Sequence, residues 1–223
     1  ADTVSGCLIC GGGMPKGSKE LTDLRKDEIV AACDKLYATA SFGEITIKDI
    51  GRETSFTRTS IYNYFATKEE IFLALFAREY TRWGDALEEI GSRDAMTERE
   101  FAEAIAHSLE ERQTMLKLLS MNLYDMECMS RASELAAFKF SYKRALELVK
   151  SALVKFFPYM GESEATDFVY SFFPFMFGIY PYTHTTEKQT EAMRRAGIVA
   201  PRCTVFGMVS GMTEKLLKAA KER

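Results

Sequence analysis

The chain is predicted to be all-α, and three observations carry that prediction. Apolar residues recur at i, i+3, i+4 and i+7 spacing, as in Ile29, Ala32, Cys33, Leu36 and Ala40, which makes one buried stripe on a helix. A threonine stands three residues before an acid or amide at Thr46/Asp49, Thr67/Glu70, Thr97/Glu100 and Thr186/Gln189, the spacing of a helix-starting capping box. No stretch shows convincing strand-like alternation. The 223 residues are 47% hydrophobic, enough for a real core in one large domain or two small ones. With 16 Phe, 10 Tyr and 11 Met, that core is aromatic and soft.

The elements follow in order. Residues 24–40 form a first helix, ended at Phe42-Gly43, where glycine suits a left-handed cap. Thr46 then caps a short helix carrying Ile47, Ile50 and Gly51. Thr54-Ser55-Phe56 interrupts the pattern, and Thr57 can cap a second short helix. There Ile61 and Phe65 face one way and Arg58, Thr59, Tyr62 and Asn63 point elsewhere. Thr67 and Glu70 open a long third helix. Two short helices joined by a tight turn read as a helix-turn-helix, whose second helix can enter the major groove of DNA. Arg58, Tyr62, Tyr64 and Lys68 are phosphate- or base-competent and cluster in this one unit, which favours DNA contact over an ordinary solvated face.

The long helix runs from Lys68 to about Ile90 with Ile71, Phe72, Leu75 and Phe76 on its apolar face, and Gly91-Ser92 breaks it. It therefore joins two units rigidly. Thr97 caps the next helix, with Phe101, Ile105 and Leu109, and apolar character continues to about Cys128. Residues 133–157 form another long helix, with Phe138, Tyr142, Ala145, Val149 and Phe156 in register, stopped by Pro158. From Ser163 the chain is most apolar, and Phe168–Tyr180 is hydrophobic on nearly all sides, so one side is expected to meet another subunit. Pro181–Thr185 reads as a turn, a short helix runs from Thr186 to Arg195, and Gly197 ends it. The last helix, about Thr204–Ala220, carries Gly207 and Gly211 four apart, a spacing that allows close helix approach.

Composition excludes several classes. The net charge is -3, with nine basic and eight acidic residues over 16–68 and 20 against 24 elsewhere, an asymmetry too mild to argue for or against DNA. Five scattered cysteines suggest free thiols in a reducing cytosol, and Cys7–Cys10 has no second pair to complete a metal site. His107 and His184 are far apart, and no metalloprotease, serine-nucleophile or paired-carboxylate pattern occurs, so neither an enzyme nor a metal or cofactor is expected. No secretory signal is evident and Phe168–Tyr180 is too short to span a bilayer, so a cytoplasmic protein without a membrane partner is expected. Residues 1–13 look unlike the rest, and 1–18 are expected to be a disordered leader or tail.

Residues 20–75 resemble the tetracycline-repressor-like (TetR) transcriptional regulators. The shared pattern runs through Thr46, Ile50-Gly51, Thr54-Ser55-Phe56-Thr57, Thr59-Ser60-Ile61-Tyr62, Tyr64-Phe65, Lys68-Glu69 and Ile71 without a gap. It departs where Ser55 replaces a turn glycine, Thr59 a small glycine and Tyr64 a common histidine. The resemblance implies a DNA-binding unit over 19–67 and a helical ligand-binding and dimerisation domain over 68–223. It implies operator contact through Thr46, Thr57, Arg58, Thr59, Ser60, Tyr62, Asn63, Tyr64 and Lys68. Thr57, Tyr62, Tyr64 and Lys68 would hold phosphates, and Arg58, Thr59, Ser60 and Asn63 would lie nearest base edges. It further implies a homodimer, built by a four-helix bundle of the last two long helices, and a small-molecule effector. Phe138, Tyr142, Phe172, Met176 and Tyr180 are candidate pocket walls, as is His184, which follows Tyr182 and Thr183, and such a lining favours a hydrophobic or aromatic ligand. A helical dimeric interaction module without regulated DNA binding is the alternative that Ser55 and Thr59 keep open.

Overall fold

The computed structural model describes residues 16–121, 123–199 and 202–222, and of residues 16–18 and Arg58 the backbone alone. Helices α1 (Lys16–Tyr37), α2 (Ile47–Arg52) and α3 (Arg58–Ile61) form a small head around buried Ile29, Cys33, Ile50, Ile61 and Phe65. Burial pushes the Cys33 thiol up to about 12, so it is an inert core residue. Helix α4 (Lys68–Ser92) leaves the head and lies along α8 (Ala132–Phe156) in the most extensive pairing of the fold. Between them come α5 (Glu98–Glu110), α6 (Gln113–Leu119) and α7 (Leu123–Cys128). Helices α9 (Glu162–Thr183), α10 (Glu187–Arg195) and α11 (Val205–Lys221) follow, and every element among the described residues is helical.

Helix α11 packs on α5 and buries Val205, Val209, Thr213 and Leu217, one residue per turn. Helix α9 packs on α6, α8 and α11 and buries Phe168, Val169, Phe172, Phe173, Met176 and Ile179. Its other side exposes Tyr170, Pro174, Phe177 and Pro181, so the nearly all-apolar segment is half covered within one protomer. Gly207 and Gly211 lie off the buried stripe of α11, and a Cβ added at Gly211 would meet nothing within 4 Å.

Several local expectations need correction. Helix α1 starts at Lys16 rather than near residue 24, and its extra turns leave Leu21 and Leu24 exposed. A turn that buries nothing has no apolar period to betray it. Residues 1–15, with the Cys7–Cys10 pair, lie outside the described residues, whereas 16–18 are helical. Gly43 is not a left-handed cap: Gly197, at φ 68°, is the one described glycine with positive φ. Two lysines close the end of α1 instead. Lys117 Nζ donates to the carbonyls of Tyr37 (2.6 Å) and Ala40 (2.9 Å), and Lys68 Nζ to those of Phe42 (2.8 Å) and Ile45 (3.0 Å). Pro181 does not begin a turn. Helix α9 runs through both Pro174 and Pro181, which sit on its exposed side, where water can take the carbonyls that proline leaves unbonded. At α4 the capping box is half made: Thr67 Oγ1 accepts from the Glu70 N–H (3.2 Å), but the Glu70 carboxylate reaches past Thr67 to the Ala66 N–H.

Candidate nucleic-acid interface and effector core

The recognition unit is built by short-range bonds. Thr46 Oγ1 accepts from the Asp49 N–H (3.2 Å), and the Asp49 carboxylate accepts from the Thr46 N–H (3.1 Å) and hydroxyl. These bonds hold the Asp49 carboxyl below its usual range, so the box stays charged and closed near neutral pH. The turn is pinned to α1, because the Glu28 carboxylate accepts from the Ser55 N–H and from Ser55 Oγ (3.2 Å). Thr54 Oγ1 donates within the turn, to the carbonyls of Gly51 and Phe56 (both 3.1 Å). Thr57 occupies the N-cap of α3, but its hydroxyl meets Ser60 Oγ (3.1 Å) rather than a backbone N–H. Helix α3 is a single turn, prolonged by N–H bonds from Asn63 to Ser60 O, Tyr64 to Ile61 O and Phe65 to Ile61 O.

This geometry sorts the expected DNA-contact residues. Thr46, Thr57, Thr59, Tyr62 and Asn63 are exposed, and Ser60, Tyr64 and Lys68 are half-buried. The side chain of Arg58 lies outside the description. Tyr64 is already engaged, since Arg25 Nη1 donates to its hydroxyl (3.4 Å) and its ring tilts against Phe56 at 6.1 Å. Lys68 is committed further. Beyond its two carbonyl bonds its ammonium sits 3.9 Å over the Phe42 ring, leaving one N–H for another partner. Tyr62, Thr46 and Lys68 line one shallow groove with Lys48, an exposed cation on the first turn of α2. Lys48 and Arg25 join the expected residues only in the structure. Lys48 had a signal, being basic beside Ile47 at the start of the first short helix; Arg25 had none, because its neighbours come from other helices.

The expected effector residues fall in separate places. Phe138 and Tyr142 of α8 stand 6.3 Å apart and touch an aromatic cluster on α4 and α9. In it Phe76 meets Phe138 (5.0 Å), Tyr80 meets Tyr142 (5.4 Å), and Phe173 meets both Tyr142 and Trp83 (5.6 Å each). The Trp83 N–H donates to Ser108 Oγ (3.0 Å), whose hydroxyl donates to the Ile105 carbonyl (2.8 Å). Burial, with the Tyr142 hydroxyl nearby, raises the Tyr80 phenol well above its usual value, so it stays neutral. Phe172 leads from the cluster, through Phe173 at 6.3 Å, to a neighbouring group with Phe168 and Phe175, and Met176 is buried on the same helix. Tyr180 and His184 stack on each other at 4.3 Å at the far end of α9. At the centre of the cluster Tyr80 and Trp83 join Phe76 of the expected apolar face, and their i, i+4, i+7 spacing on α4 marks them in the sequence.

The cluster is wired to the head. Asp34 of α1 pairs with Arg78 of α4 (2.7 Å) and accepts from Thr114 of α6 (3.3 Å). Lys117 of α6 holds the end of α1 and lies 4.1 Å over the Tyr37 ring. Burial lowers the Lys117 pKa, partly offset by Glu44.

Comparison with known proteins follows the same division. Residues 29–75 match the family described as bacterial regulatory proteins, tetR family, and residues 77–216 match the tetracyclin repressor-like C-terminal domain. A curated relative, the uncharacterised HTH-type transcriptional regulator YfiR of Bacillus subtilis (strain 168), is 38% identical over 58 residues, which span 26% of this chain and 28% of that protein. The fold resembles a protein described as a TetR-family transcriptional regulator from Mesorhizobium loti, with a TM-score of 0.58, 15% identity, and 90% and 96% of the two chains covered. It also resembles the fatty acid degradation regulator FadR of Bacillus halodurans, with a TM-score of 0.54, 14% identity and 86% and 94% covered. For the repressor AlkX of Dietzia, implicated in n-alkane biodegradation, the values are 0.53, 12%, 88% and 95%.

Proposed function

The chain belongs to the TetR family of bacterial transcriptional regulators, and from that premise we propose that it is a homodimeric repressor released from its operator by a hydrophobic effector. Members of this family are DNA-binding transcription factors rather than enzymes. The observation that carries the proposal is the dual use of α4. Its first turn carries Lys68, which ties down the chain entering α2, and three turns later Phe76, Tyr80 and Trp83 form the aromatic cluster. A molecule that pushes those rings apart moves the helix from which the head hangs. In this reading residues 19–67 are the DNA-binding unit and 68–223 the effector and dimerisation unit. Tyr62, Tyr64, Thr57 and Lys68, with Lys48, hold phosphates, and Arg58, Thr59, Ser60 and Asn63 face base edges. The exposed face of α9 meets its copy across a two-fold axis, an isologous contact that buries Tyr170 and Phe177. A cytoplasmic location follows from the DNA target, and no described helix is long and apolar enough to cross a membrane.

An apolar, aromatic core suits an acyl or alkyl ligand, and two fold neighbours are named for fatty acid and n-alkane metabolism. The test uses an operator duplex selected by the protein from a random library and a panel of fatty acids and n-alkanes. Coupling between the two sites is reciprocal, so operator must weaken effector binding by the factor by which effector weakens operator binding, typically about 5–150-fold. Calorimetric titration of the effector with and without saturating operator measures this. Equal affinity in the two titrations would disconnect the cluster from the heads.

A further inference from the structure

The carboxylate of Glu70 is fully buried at the first turn of α4 and accepts four hydrogen bonds. One comes from the Ala66 N–H (2.7 Å). The other three come from Arg131: its N–H (2.9 Å) and Nε (2.7 Å) to Oε1, and its Nη2 (2.7 Å) to Oε2. The same Nη2 donates to the Tyr64 carbonyl (3.0 Å). Tyr64 and Ala66 flank the exit of the chain from the recognition turn, and Arg131 is the N-cap residue of α8. One guanidinium thus joins the end of the reading unit, the start of α4 and the start of α8. Two more contacts bridge the same corner: Lys26 of α1 to Glu134 of α8 (2.9 Å) and Thr67 Oγ1 to the Met129 carbonyl (3.3 Å).

Only the Glu70 end of this pair is buried, Arg131 being about half exposed, and an ion pair is by itself weak evidence of stability. What an arginine fork supplies is direction, since its donors are fixed in one plane. Here that plane is held against a buried carboxylate that also accepts from two backbone N–H groups, those of Ala66 and Arg131. The lock reaches the reading unit from the C-terminal half of the chain, from the N-cap of α8.

We propose that Arg131 is a positioning residue for DNA reading: through Glu70 and the Tyr64 carbonyl it sets the angle at which the α3 turn, with Tyr62 and Asn63, meets the groove. This rests on the DNA-binding reading above. The test compares the full-length wild type with Arg131→Ala, Arg131→Lys and Glu70→Gln. The probe is a labelled duplex enriched from a random library by the wild type, and every protein is held at a temperature where circular dichroism shows it folded. Arg131→Ala and Glu70→Gln should each weaken binding about tenfold or more, the scale of a lost charge-assisted bond. Arg131→Lys, which keeps the charge but not the fork, should fall between. The dependence of log affinity on log salt should keep its slope, because no phosphate contact is lost. The sign for Glu70→Gln is the sharpest reading: removing a negative charge near DNA favours binding electrostatically, whereas loss of positioning weakens it. Unchanged affinity with a lowered melting temperature would reduce the pair to a structural role. A slope smaller by about one in Arg131→Ala would make Arg131 a phosphate contact, and tighter binding by Glu70→Gln would leave only charge at work; each overturns the proposal. If the wild type enriched no duplex at all, the DNA-binding reading would fail instead.

Discussion

On the proposed DNA-binding reading, Lys68 is one side chain that serves the fold and the site together. Its ammonium has three N–H donors, and two are spent on the carbonyls that end the α1–α2 connection. Lys68→Ala should therefore do two things. It should lower the melting temperature, because two half-buried carbonyls lose their donor, and it should shrink the salt slope of DNA binding by about one for the lost phosphate contact. A thermal melt and a salt titration separate the effects, and an unchanged slope would leave Lys68 as a cap alone. On the same reading Arg58 has a different task, base recognition. Arg58→Ala should cost about 1–3 kcal/mol on one operator base pair and relax the preference there. Equal weakening on selected and random duplexes would remove Arg58 from the reading set.

At the scale of elements, the sequence was most informative where structure is local. The capping boxes at Thr46, Thr97 and Thr186 form as spaced, because each needs only its own first turn. The Thr67/Glu70 pair departs because a distant arginine competes for the carboxylate, and no local pattern announces Arg131. Pro181 misled for a related reason: proline forbids one hydrogen bond, not a helix whose exposed side can do without it. The six expected effector residues were chosen for type, and their scatter over three places records what periodicity omits, namely which helix faces which. Helix α11 offers a clean test of assembly. Gly211 lies off the stripe facing α5 with open space around it, so Gly211→Leu should leave the protomer folded. If α11 meets its copy there, the variant should sediment as a monomer at micromolar concentration and lose specific DNA binding. A variant that remained dimeric would place the interface away from Gly211, for instance on the exposed face of α9 alone.

For the whole molecule, the consequence lies in the packing of the aromatic cluster. Phe76, Tyr80, Trp83, Phe138, Tyr142 and Phe173 touch one another between α4, α8 and α9. An effector entering there is in competition with the protein's own rings, and its apparent Kd contains the free energy of parting them. Affinity and stability should consequently move in opposite directions. Phe173→Ala should destabilise the fold by about 3–5 kcal/mol, measured by denaturant titration, as large-to-small changes in a packed core do. It should nevertheless bind an alkyl chain more tightly than the wild type, because the room is already made. A ligand that enters this variant without parting the rings should displace α4 less, so its effect on DNA binding should be weaker than in the wild type. On the proposed effector reading, the wild-type cluster is a latch as much as a core, and the cohesion of six aromatic rings would set the concentration at which the regulator begins to respond.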